Sequence, residues 1–499
     1  MTVNGKREAG VLCHIASLPS EYGIGSLGKE AYRFVARLHR AGIKKWQVLP
    51  LVQTGYGDSP YSSVSCDSGN PYFIDLARLK KEKLLTGAEL KSARVEGDKI
   101  DYGALFQNRY PLLRKAFSRF NLDQKEFCAF VKSGIAEDYA LFMTAKTVFD
   151  GLAFCEWEEG VKFRDAQAIE ALRTDYHEEY LFWQFLQYQF RRQWKELKAY
   201  ANGCGIQIVG DIPLYVAYDS ADVWAHPELF KLDKQLKPTK VAGVPPDYFS
   251  ETGQLWGNPV YDWTMQKKDG YAWWNNRLRS ALETYDIVRI DHFRGFDRYY
   301  EIPAGAENAV GGQWREGPKA ELFASLDKDA RARIIAEDLG TIDDGVRKLL
   351  ADTAFPGMKV LLFAFDGNPD NEYLPAQITE NAVCYTGTHD NDTVVGYVRS
   401  LSEEGYILFR SRVAAELARE ELALPLGEGE TGFAGAFVAM ALNSKARLAM
   451  LPVQDILGLG NEARMNMPGS EGANWQFRLK KLPKGALKGL KKAIAKFGR

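Results

Sequence analysis

Short runs of apolar and β-branched residues recur along the chain, and several of them end in a polar side chain. Uninterrupted apolar runs of about four to eight residues are typical of strands buried in a parallel sheet. Amphipathic stretches with helical spacing, such as 30–41 and 343–352, lie between several of these runs. This alternation indicates βαβ units and predicts an α/β fold, a (β/α)₈ barrel of the TIM type. The predicted strands are 10–14, 45–49, 206–211, 286–291, 332–337, 359–363, 381–385 and 449–452.

Large, mainly helical insertions interrupt the alternation after the second and third predicted strands. Segment 79–203 has the apolar spacing of helices, which predicts an inserted helical subdomain. Segment 233–263 is rich in Gly, Pro and aromatic residues, a composition that suits an ordered loop over a cleft. We therefore expect one catalytic barrel, 1–499, with the helical subdomain at 79–203 and an active-site lid at 233–263. The basic segment 480–499 is predicted to form a solvated helix.

The composition is that of a folded protein, with 46% hydrophobic and 26% charged residues among 499. Lys and Arg total 64 and Asp and Glu total 65, so the net charge of −1 creates no field that attracts nucleic acid. The first residues lack the apolar core of a secretory signal, and no stretch has the roughly 18 apolar residues of a membrane span. Six cysteines without a CxxC pair predict reduced thiols and no structural zinc. We therefore expect a cytoplasmic protein.

Acidic side chains stand at or after the ends of four predicted strands. Asp211, Asp291 and Glu337 end their runs directly, and Asp390 comes a few residues after its run. Catalytic residues of parallel barrels collect at these ends. A single such acid is more often a helix N-cap or a solvated loop charge. Four acids at one barrel mouth raise at least one pKa by mutual repulsion, and paired carboxylates of this kind cleave glycosidic bonds.

A metal site is the competing interpretation of the same residues. The possible ligands are the neighbours Asp291 and His292 and the neighbours His389 and Asp390. Arg289 and Arg294 flank Asp291, and fixed cations oppose metal binding while they keep a carboxylate ionised. We therefore expect neither a metal nor another cofactor. Aromatic residues, 12% of the chain, also suit the faces of sugar rings.

Ordered motifs along nearly the whole chain resemble those of the 4-α-glucanotransferases, the amylomaltases or disproportionating enzymes of the α-amylase clan. The motifs include GYGDSPY at 55–61, GDIPLYV at 210–216, VRIDHFRG at 288–295, IAEDLG at 335–340, GTHDN at 387–391, QDILGLG at 454–460 and ARMN at 463–466. The resemblance implies an enzyme that cleaves an α-1,4-glucan and transfers the released segment to the 4-hydroxyl of glucose or another glucan. No nucleic acid, membrane or obligatory protein partner is implied.

By this resemblance, a retaining double displacement is expected, with Asp291 as the nucleophile and Glu337 as the acid/base. Asp390 would hold the hydroxyls of the reacting ring. The supporting residues would be Arg289, His389 and Asp211. Tyr61 would be the platform under the cleaved sugar, and Tyr56 would contact glucan outside the catalytic subsites. The lid residues that would bind substrate are Asp247, Tyr248, Phe249 and Trp256.

The sequence departs from the family pattern at Lys319, Leu362, Phe477 and the segment 62–68, away from the catalytic acids. Two alternatives to a transferase remain. A hydrolase or debranching enzyme of the same clan would use water as the acceptor. A catalytically silent glucan-binding protein could use the same fold, but the intact acids argue against it.

Overall fold

The computed structural model describes residues 6–55, 57–246, 250–422, 426, 429–470, 472–481 and 485–499. Within these residues, eight parallel strands form one sheet and four antiparallel strands form another. In chain order the strands are β1 (Glu8–Leu12), β2 (Lys45–Gln47), β3 (Gln207–Ile212), β4 (Lys240–Val244), β5 (Gln254–Pro259), β6 (Ile287–Ile290), β7 (Arg298–Pro303), β8 (Gln313–Glu316), β9 (Ile334–Ala336), β10 (Gly357–Val360), β11 (Ala382–Tyr385) and β12 (Leu448–Pro452).

The parallel strands follow one another in the order β10, β11, β12, β1, β2, β3, β6, β9. At the open edges, the Ala336 N–H of β9 donates to the carbonyl of Pro356, which directly precedes β10, at 3.0 Å. The sheet therefore forms a nearly closed barrel. All four residues of β6 are buried, as expected when connecting helices cover the outside of a parallel sheet. The predicted (β/α)₈ fold class is confirmed.

The helices cover the barrel and fill the long connection between β2 and β3. In chain order they are α1 (Lys29–Ala41), α2 (Leu76–Lys81), α3 (Gly87–Ser92), α4 (Tyr102–Ser118), α5 (Lys125–Lys132), α6 (Glu137–Val148), α7 (Glu159–Lys162), α8 (Ala166–Asp175), α9 (His177–Gly203), α10 (Ala221–Ala225), α11 (Trp263–Lys268), α12 (Ala272–Thr284), α13 (Lys328–Arg331), α14 (Asp344–Thr353), α15 (Val394–Ser400), α16 (Glu403–Arg419), α17 (Thr431–Asn443), α18 (Val453–Leu457) and α19 (Ala486–Lys496). Among the described residues, none of the helices is long and apolar enough to cross a membrane.

Helices α2 to α9 lie between β2 and β3, where the apolar spacing predicts helix. Aromatic rings hold this insertion together: Phe117 of α4 lies 5.6 Å from Phe182 and 5.5 Å from Phe185, both on α9. Such ring pairs add to the free energy of burial. The same helix α9 leads directly into β3, so the insertion is anchored on the barrel. Its limits at 79 and 203 stay a prediction.

The segment predicted as an ordered loop, 233–263, contains two strands, β4 and β5. They belong to an antiparallel sheet in the order β5, β4, β7, β8, which joins them to the connection after β6. The sequence did not predict this sheet, because its pairing partners are far apart in the chain and Gly and Pro obscure the alternation of side chains. The segment is therefore tied to β7 by a strand ladder.

The predicted strand 359–363 is shorter in the structure. The apolar run 359–363 was predicted as one strand, but β10 ends at Val360 and Leu361–Phe363 forms a 3₁₀ turn. Its ladder with β11 also ends there, at the pair Val360 and Tyr385. An apolar run shows burial but does not distinguish a strand from a buried turn.

The sequence predicts a solvated helix at the C-terminal end, and this prediction is wrong for one face of α19. Its residues Leu490 and Ile494 are buried, and the helix packs on α1. Arg499 lies beyond it and donates to the carbonyls of Leu442 at 2.6 Å, Ser444 at 2.7 Å and Ala446 at 2.9 Å. These carbonyls lie at and just beyond the end of α17, where a cation is favoured. The C-terminal segment is therefore part of the barrel's packing.

We expect Arg499→Ala to lower the free energy of unfolding by about 2 kcal/mol, because several charge-assisted hydrogen bonds are lost and the accepting carbonyls belong to buried residues. Urea titration monitored by circular dichroism measures this change. The matched control is Lys492→Ala on the exposed face of α19, for which a change within about 0.5 kcal/mol is expected. Equal effects of the two variants would contradict the proposed contribution of Arg499.

Candidate active site

The barrel brings the predicted acids to one end. Asp211 lies in β3 opposite Arg289 of β6, and the last registered pair of β6 and β9 is Ile290 with Ala336. Asp291 and Glu337 each follow this pair by one residue. The Asp291 N–H donates to Ile212 O at 2.9 Å and the Glu337 N–H donates to Ile290 O at 3.0 Å. The ladder thus continues to the two acids and fixes their backbones on neighbouring strands.

Arg289 connects two of the acids. The guanidinium is buried and contacts both Asp211 oxygens, at 2.8 and 2.7 Å, and Asp291 Oδ1 at 3.1 Å. Its Nε lies 3.3 Å from the thioether of Met358 on β10. Burial by itself lowers the pKa of Arg289, but the negative charges of Asp211 and Asp291 raise it well above its usual value. The cation is therefore permanent and lies directly against Asp291.

Glu337 is held by two backbone N–H groups. The N–H of His292 donates to Glu337 Oε2 at 2.6 Å, and that of Leu339 donates to Oε1 at 3.1 Å. His292 has a left-handed backbone, with φ of 51°, and its peptide N–H is the one that reaches Glu337. Burial raises the pKa of Glu337 to about 7, against the opposing effects of Arg289 and the His292 N–H.

Asp291 and Glu337 titrate as a pair. Burial raises the pKa of Asp291 well above its usual value, Arg289 opposes this, and the charge of Glu337 adds to it. Of the two, only Asp291 forms an ion pair with a buried cation. When the pair holds one proton, that proton therefore resides on Glu337, and Asp291 keeps the negative charge. About a quarter of the Asp291 side chain, 26%, is exposed.

Asp390 lies five residues beyond the end of β11, in a loop that other residues hold in place. Asn466 Nδ2 donates to Asp390 Oδ1 at 2.7 Å, and Arg464 donates to the Asp390 carbonyl at 2.8 Å. The His389 ring lies 3.4 Å from the same Oδ1. Burial lowers the pKa of His389, although Asp390 opposes this. The sequence did not identify Asn466 and Arg464 as site residues; their presence in the 463–466 motif was the available signal.

Tyr61 joins the two halves of the acid cluster. Its hydroxyl donates to Asp211 Oδ2 at 2.8 Å. Its ring stacks on His389, with centroids 4.9 Å apart and planes at 10°, and Trp475 lies 5.7 Å away. The predicted platform residue is thus bound at both its polar end and its apolar face. Trp475 is a third residue that the sequence did not identify as part of the site.

Trp256 is the predicted lid residue that the structure describes. It lies in β5, 37% exposed, and its ring is 4.8 Å from that of His292 and nearly perpendicular to it. Asn258, two residues on, donates from Nδ2 to Val216 O at 2.8 Å. The second sheet therefore reaches the residue that follows Asp291. The remaining predicted binding residues, Tyr56, Asp247, Tyr248 and Phe249, lie outside the described residues.

A groove of about 860 Å³ lies beside the loop that precedes Tyr61. Its lining residues include Gly55, Gly57 and the aromatic side chains of Tyr72, Tyr102 and Phe106. Phe106 is 65% exposed. A solvent-exposed aromatic surface of this kind suits the faces of sugar rings.

Two further observations concern the remaining sequence features. At Lys319, a departure from the family pattern, the backbone is left-handed, with φ of 55°, a conformation that favours glycine. The Lys319 ammonium lies 2.6 Å from Glu316. Within the part of the chain that the structure describes, no three His, Cys, Asp or Glu side chains are grouped as metal ligands, and all six cysteines are unpaired.

Comparisons with known proteins agree on one family. A family model described as 4-alpha-glucanotransferase matches residues 13–483. The 4-alpha-glucanotransferase of Clostridium butyricum is 44% identical over 474 residues, which cover 94% of this chain and 95% of that protein. The enzyme of the same name from Thermus thermophilus is 44% identical over 486 residues, covering 95% of each chain.

Among solved structures, the amylomaltase from Streptococcus agalactiae in complex with acarbose is similar, with a TM-score of 0.92 and 37% identity over 99% of this chain and 100% of that one. The agreement thus extends from the motifs to the complete backbone. On these matches, which include the barrel and every acid described above, the chain belongs to the 4-α-glucanotransferase family.

Proposed function

We propose that Asp291, Glu337 and Asp390 perform glucan transfer by a retaining double displacement. The observation that carries the proposal is the arrangement of the first two: Asp291 pairs with Arg289, while Glu337 has its pKa raised to about 7. Adjacent strands lie about 4.8 Å apart, and the two acids follow neighbouring strands at the same level. This spacing suits a retaining pair, whose carboxyl groups lie about 5–5.5 Å apart.

In the first step, an Asp291 oxygen attacks the anomeric carbon of the donor glucan. The bond from that carbon to the glycosidic oxygen breaks as Glu337 gives its proton to the departing oxygen. In the second step, Glu337 takes the proton from the 4-hydroxyl of an acceptor. The acceptor oxygen then attacks the anomeric carbon, the bond to Asp291 breaks, and the α-configuration is restored.

Asp390 binds the hydroxyls of the reacting ring in this proposal. Its side chain is 41% exposed, and Asn466 already occupies one side of Oδ1. Free carboxylate lone pairs therefore remain for sugar hydroxyls, whose hydrogen bonds strengthen as the ring approaches an oxocarbenium ion. Arg464 and Asn466 act through the position of the loop and not on the sugar.

Transfer also requires that an acceptor sugar reach the intermediate before water does. We propose that the segment 233–263 is the lid that favours the sugar, with Trp256, Asp247, Tyr248 and Phe249 as its contacts. The ladder between β4 and β7 supports this role because it holds the segment close to His292. Tyr56 and the aromatic groove lined by Tyr72, Tyr102 and Phe106 would bind glucan outside the catalytic subsites.

The substrates follow from this assignment. The donor is an α-1,4-glucan, and the acceptor is glucose or a maltooligosaccharide. No cofactor takes part, and the 79–203 helical subdomain supports the loops at the catalytic end. A cytoplasmic location is proposed on the six unpaired thiols.

Incubation with pure maltotriose tests the function. We expect glucose together with maltodextrins longer than maltotriose, and little incorporation of oxygen from ¹⁸O-labelled water into the products. Release of glucose without longer products, accompanied by the label, would identify a hydrolase instead. Binding of maltodextrin without any product would identify a silent glucan-binding protein.

The pKa of Glu337 predicts the pH dependence of the first step. Glu337 must carry a proton, and its pKa is raised to about 7, so kcat/KM for the donor is expected to fall by about tenfold per pH unit above pH 7. Initial rates with a maltooligosaccharide donor between about pH 5 and pH 9 measure this limb. A rate that stays constant up to pH 9 would exclude Glu337 as the acid.

A further inference from the structure

A cavity of about 560 Å³ lies between α9 and α12, beside the ends of β2 and β3. Lys195, Asn276 and Glu283 on its rim are exposed, so it is reached from the outer surface of the barrel. Asp291, Glu337 and Asp390 do not line it. Its volume falls within the range of about 300–1,000 Å³ that is common for small-molecule sites.

The walls of this cavity are held firmly. The loop that covers it contains Gly69, where a Cβ atom would lie 1.9 Å from the Phe190 ring of α9, so the loop backbone is pressed against the helix. The side chain of Gln187 on α9 accepts from the Gly69 N–H at 2.7 Å and donates to the Gly69 carbonyl at 2.9 Å. Because loop and helix are joined in this way, the cavity is a built feature of the packing. This loop comprises the 62–68 segment, which departs from the family pattern, and Gly69 directly after it.

The lining combines aromatic rings with hydrogen-bonding groups. Trp194, Trp273 and Tyr285 supply the rings, and Asn276 and Ser280 supply polar groups beside them. This combination of flat apolar surface and polar edges is the one that pyranose rings match.

Arg277 places a fixed guanidinium in the wall of the cavity. Its terminal nitrogens donate to the carbonyls of Pro213 at 2.7 Å and Leu214 at 3.1 Å, while its Nε is buried without an acceptor among the described residues. The Nε of Arg191, another lining residue, is likewise buried without an acceptor among the described residues. Both Nε atoms are fully enclosed, so the two carbonyl contacts hold the Arg277 guanidinium in place, and its contribution to the lining is a fixed positive charge.

The charge of the lining favours a neutral ligand. Four cations, Arg191, Lys195, Lys198 and Arg277, face four acids, Asp67, Asp211, Asp222 and Glu283. The signs balance, so neither a phosphorylated sugar nor a cationic molecule gains from the field.

We propose that this cavity is a further saccharide-binding site, separate from the aromatic groove lined by Tyr72, Tyr102 and Phe106, and that it takes one or two glucose units in a position where the catalytic acids do not reach them. The choice of glucose saccharides rests on the proposed function. The inner wall of the cavity includes Tyr61 and Asp211, whose hydrogen bond of 2.8 Å is the one that holds the platform of the active site. The bound sugar therefore lies against the far side of the catalytic centre.

Calorimetric titration of maltose into acarbose-saturated protein tests the proposal. Acarbose, which is bound in the similar amylomaltase structure, is expected to fill the catalytic cleft. We expect maltose to bind the saturated wild-type protein. Asn276→Trp and Glu283→Trp place a large ring at the rim of the cavity, and both are expected to lose this binding. The matched control is Arg279→Trp, which introduces the same ring at an exposed position of α12 that does not line the cavity, and it is expected to bind maltose as the wild type does.

Absence of maltose binding to the saturated wild-type protein would overturn the proposal. So would an unchanged number of bound maltose molecules in both Asn276→Trp and Glu283→Trp, since all the binding would then come from other surfaces, such as the aromatic groove. Melting temperatures within a few degrees of the wild type establish that both variants are folded. Failure of acarbose to inhibit transfer, or absence of transfer itself, would instead contradict the proposed function.

Discussion

Asp291→Asn is expected to lower kcat for glucan transfer by about 10⁴-fold or more, the size of effect seen when a covalent nucleophile is removed. The amide has nearly the shape of the carboxylate, and its oxygen can still accept from Arg289. It lacks the negative charge that attacks the anomeric carbon, so no glycosyl-enzyme forms. Initial rates of glucose release from maltotriose, with a mass-spectrometric search for the covalent intermediate, measure the loss.

The control for this variant is Asp343→Asn. Asp343 is an acid near the site that pairs with Arg294 at 3.3 Å and caps α14 through Val346. Asparagine is as good an N-cap as aspartate, so this substitution removes one neighbouring charge without removing the cap. We expect it to keep kcat within about threefold, as is usual for a change outside the reacting groups. Full transfer activity in Asp291→Asn would refute its assignment as the nucleophile.

Glu337→Gln is expected to lower kcat/KM with maltooligosaccharides by about 10²–10⁴-fold, the usual contribution of a general acid. The loss arises because the departing sugar oxygen leaves without a proton. A donor with fluoride as the leaving group does not need that proton, so maltosyl fluoride is expected to restore formation of the intermediate. Breakdown of the intermediate then stays slow, because the acceptor hydroxyl has no base.

Two measurements accompany this variant. The alkaline limb near pH 7 is expected to disappear in Glu337→Gln. Asp338→Asn is the comparison: its amide oxygen can still accept the Met358 N–H, which lies 2.6 Å from Asp338 in the wild type. The charge of Asp338 raises the pKa of Glu337, so the limb is expected to persist in Asp338→Asn and to move to lower pH. Equal slowing of the fluoride and the maltooligosaccharide by Glu337→Gln would show that Glu337 does not protonate the leaving group.

The barrel and its acids were predictable because both depend on local patterns. Parallel strands are buried on both faces and therefore appear as apolar runs, and the residue that ends each run is placed at the catalytic end by the fold. Asp291 and Glu337 were found in this way. Arg289 lies two residues before Asp291 on the same strand, so both side chains project to the same side, and their ion pair also follows from the sequence.

Contacts between distant segments were not predictable. The antiparallel sheet joins 240–259 to 298–316, and neither segment shows by itself that it has a partner. The segment 464–475 must pack across the mouth of the barrel before Arg464 and Asn466 can contact Asp390. The same packing brings Trp475 to Tyr61. The hydrogen bonds of Arg499 and the cavity between α9 and α12 likewise depend on helices that are separate in the sequence.

The sequence by itself therefore determined the fold class, the ends of the strands and the identity of the acids, because hydrophobic periodicity and strand direction are local properties. The tertiary structure alone decided the electrostatic environment of each acid. Burial raises the pKa of Glu337, although Arg289 and the His292 N–H oppose the rise. The charge of Asp291 is favoured by a guanidinium that Asp211 and Met358 hold in place. These effects depend on distance and on exclusion of water, which exist only once the strands are assembled.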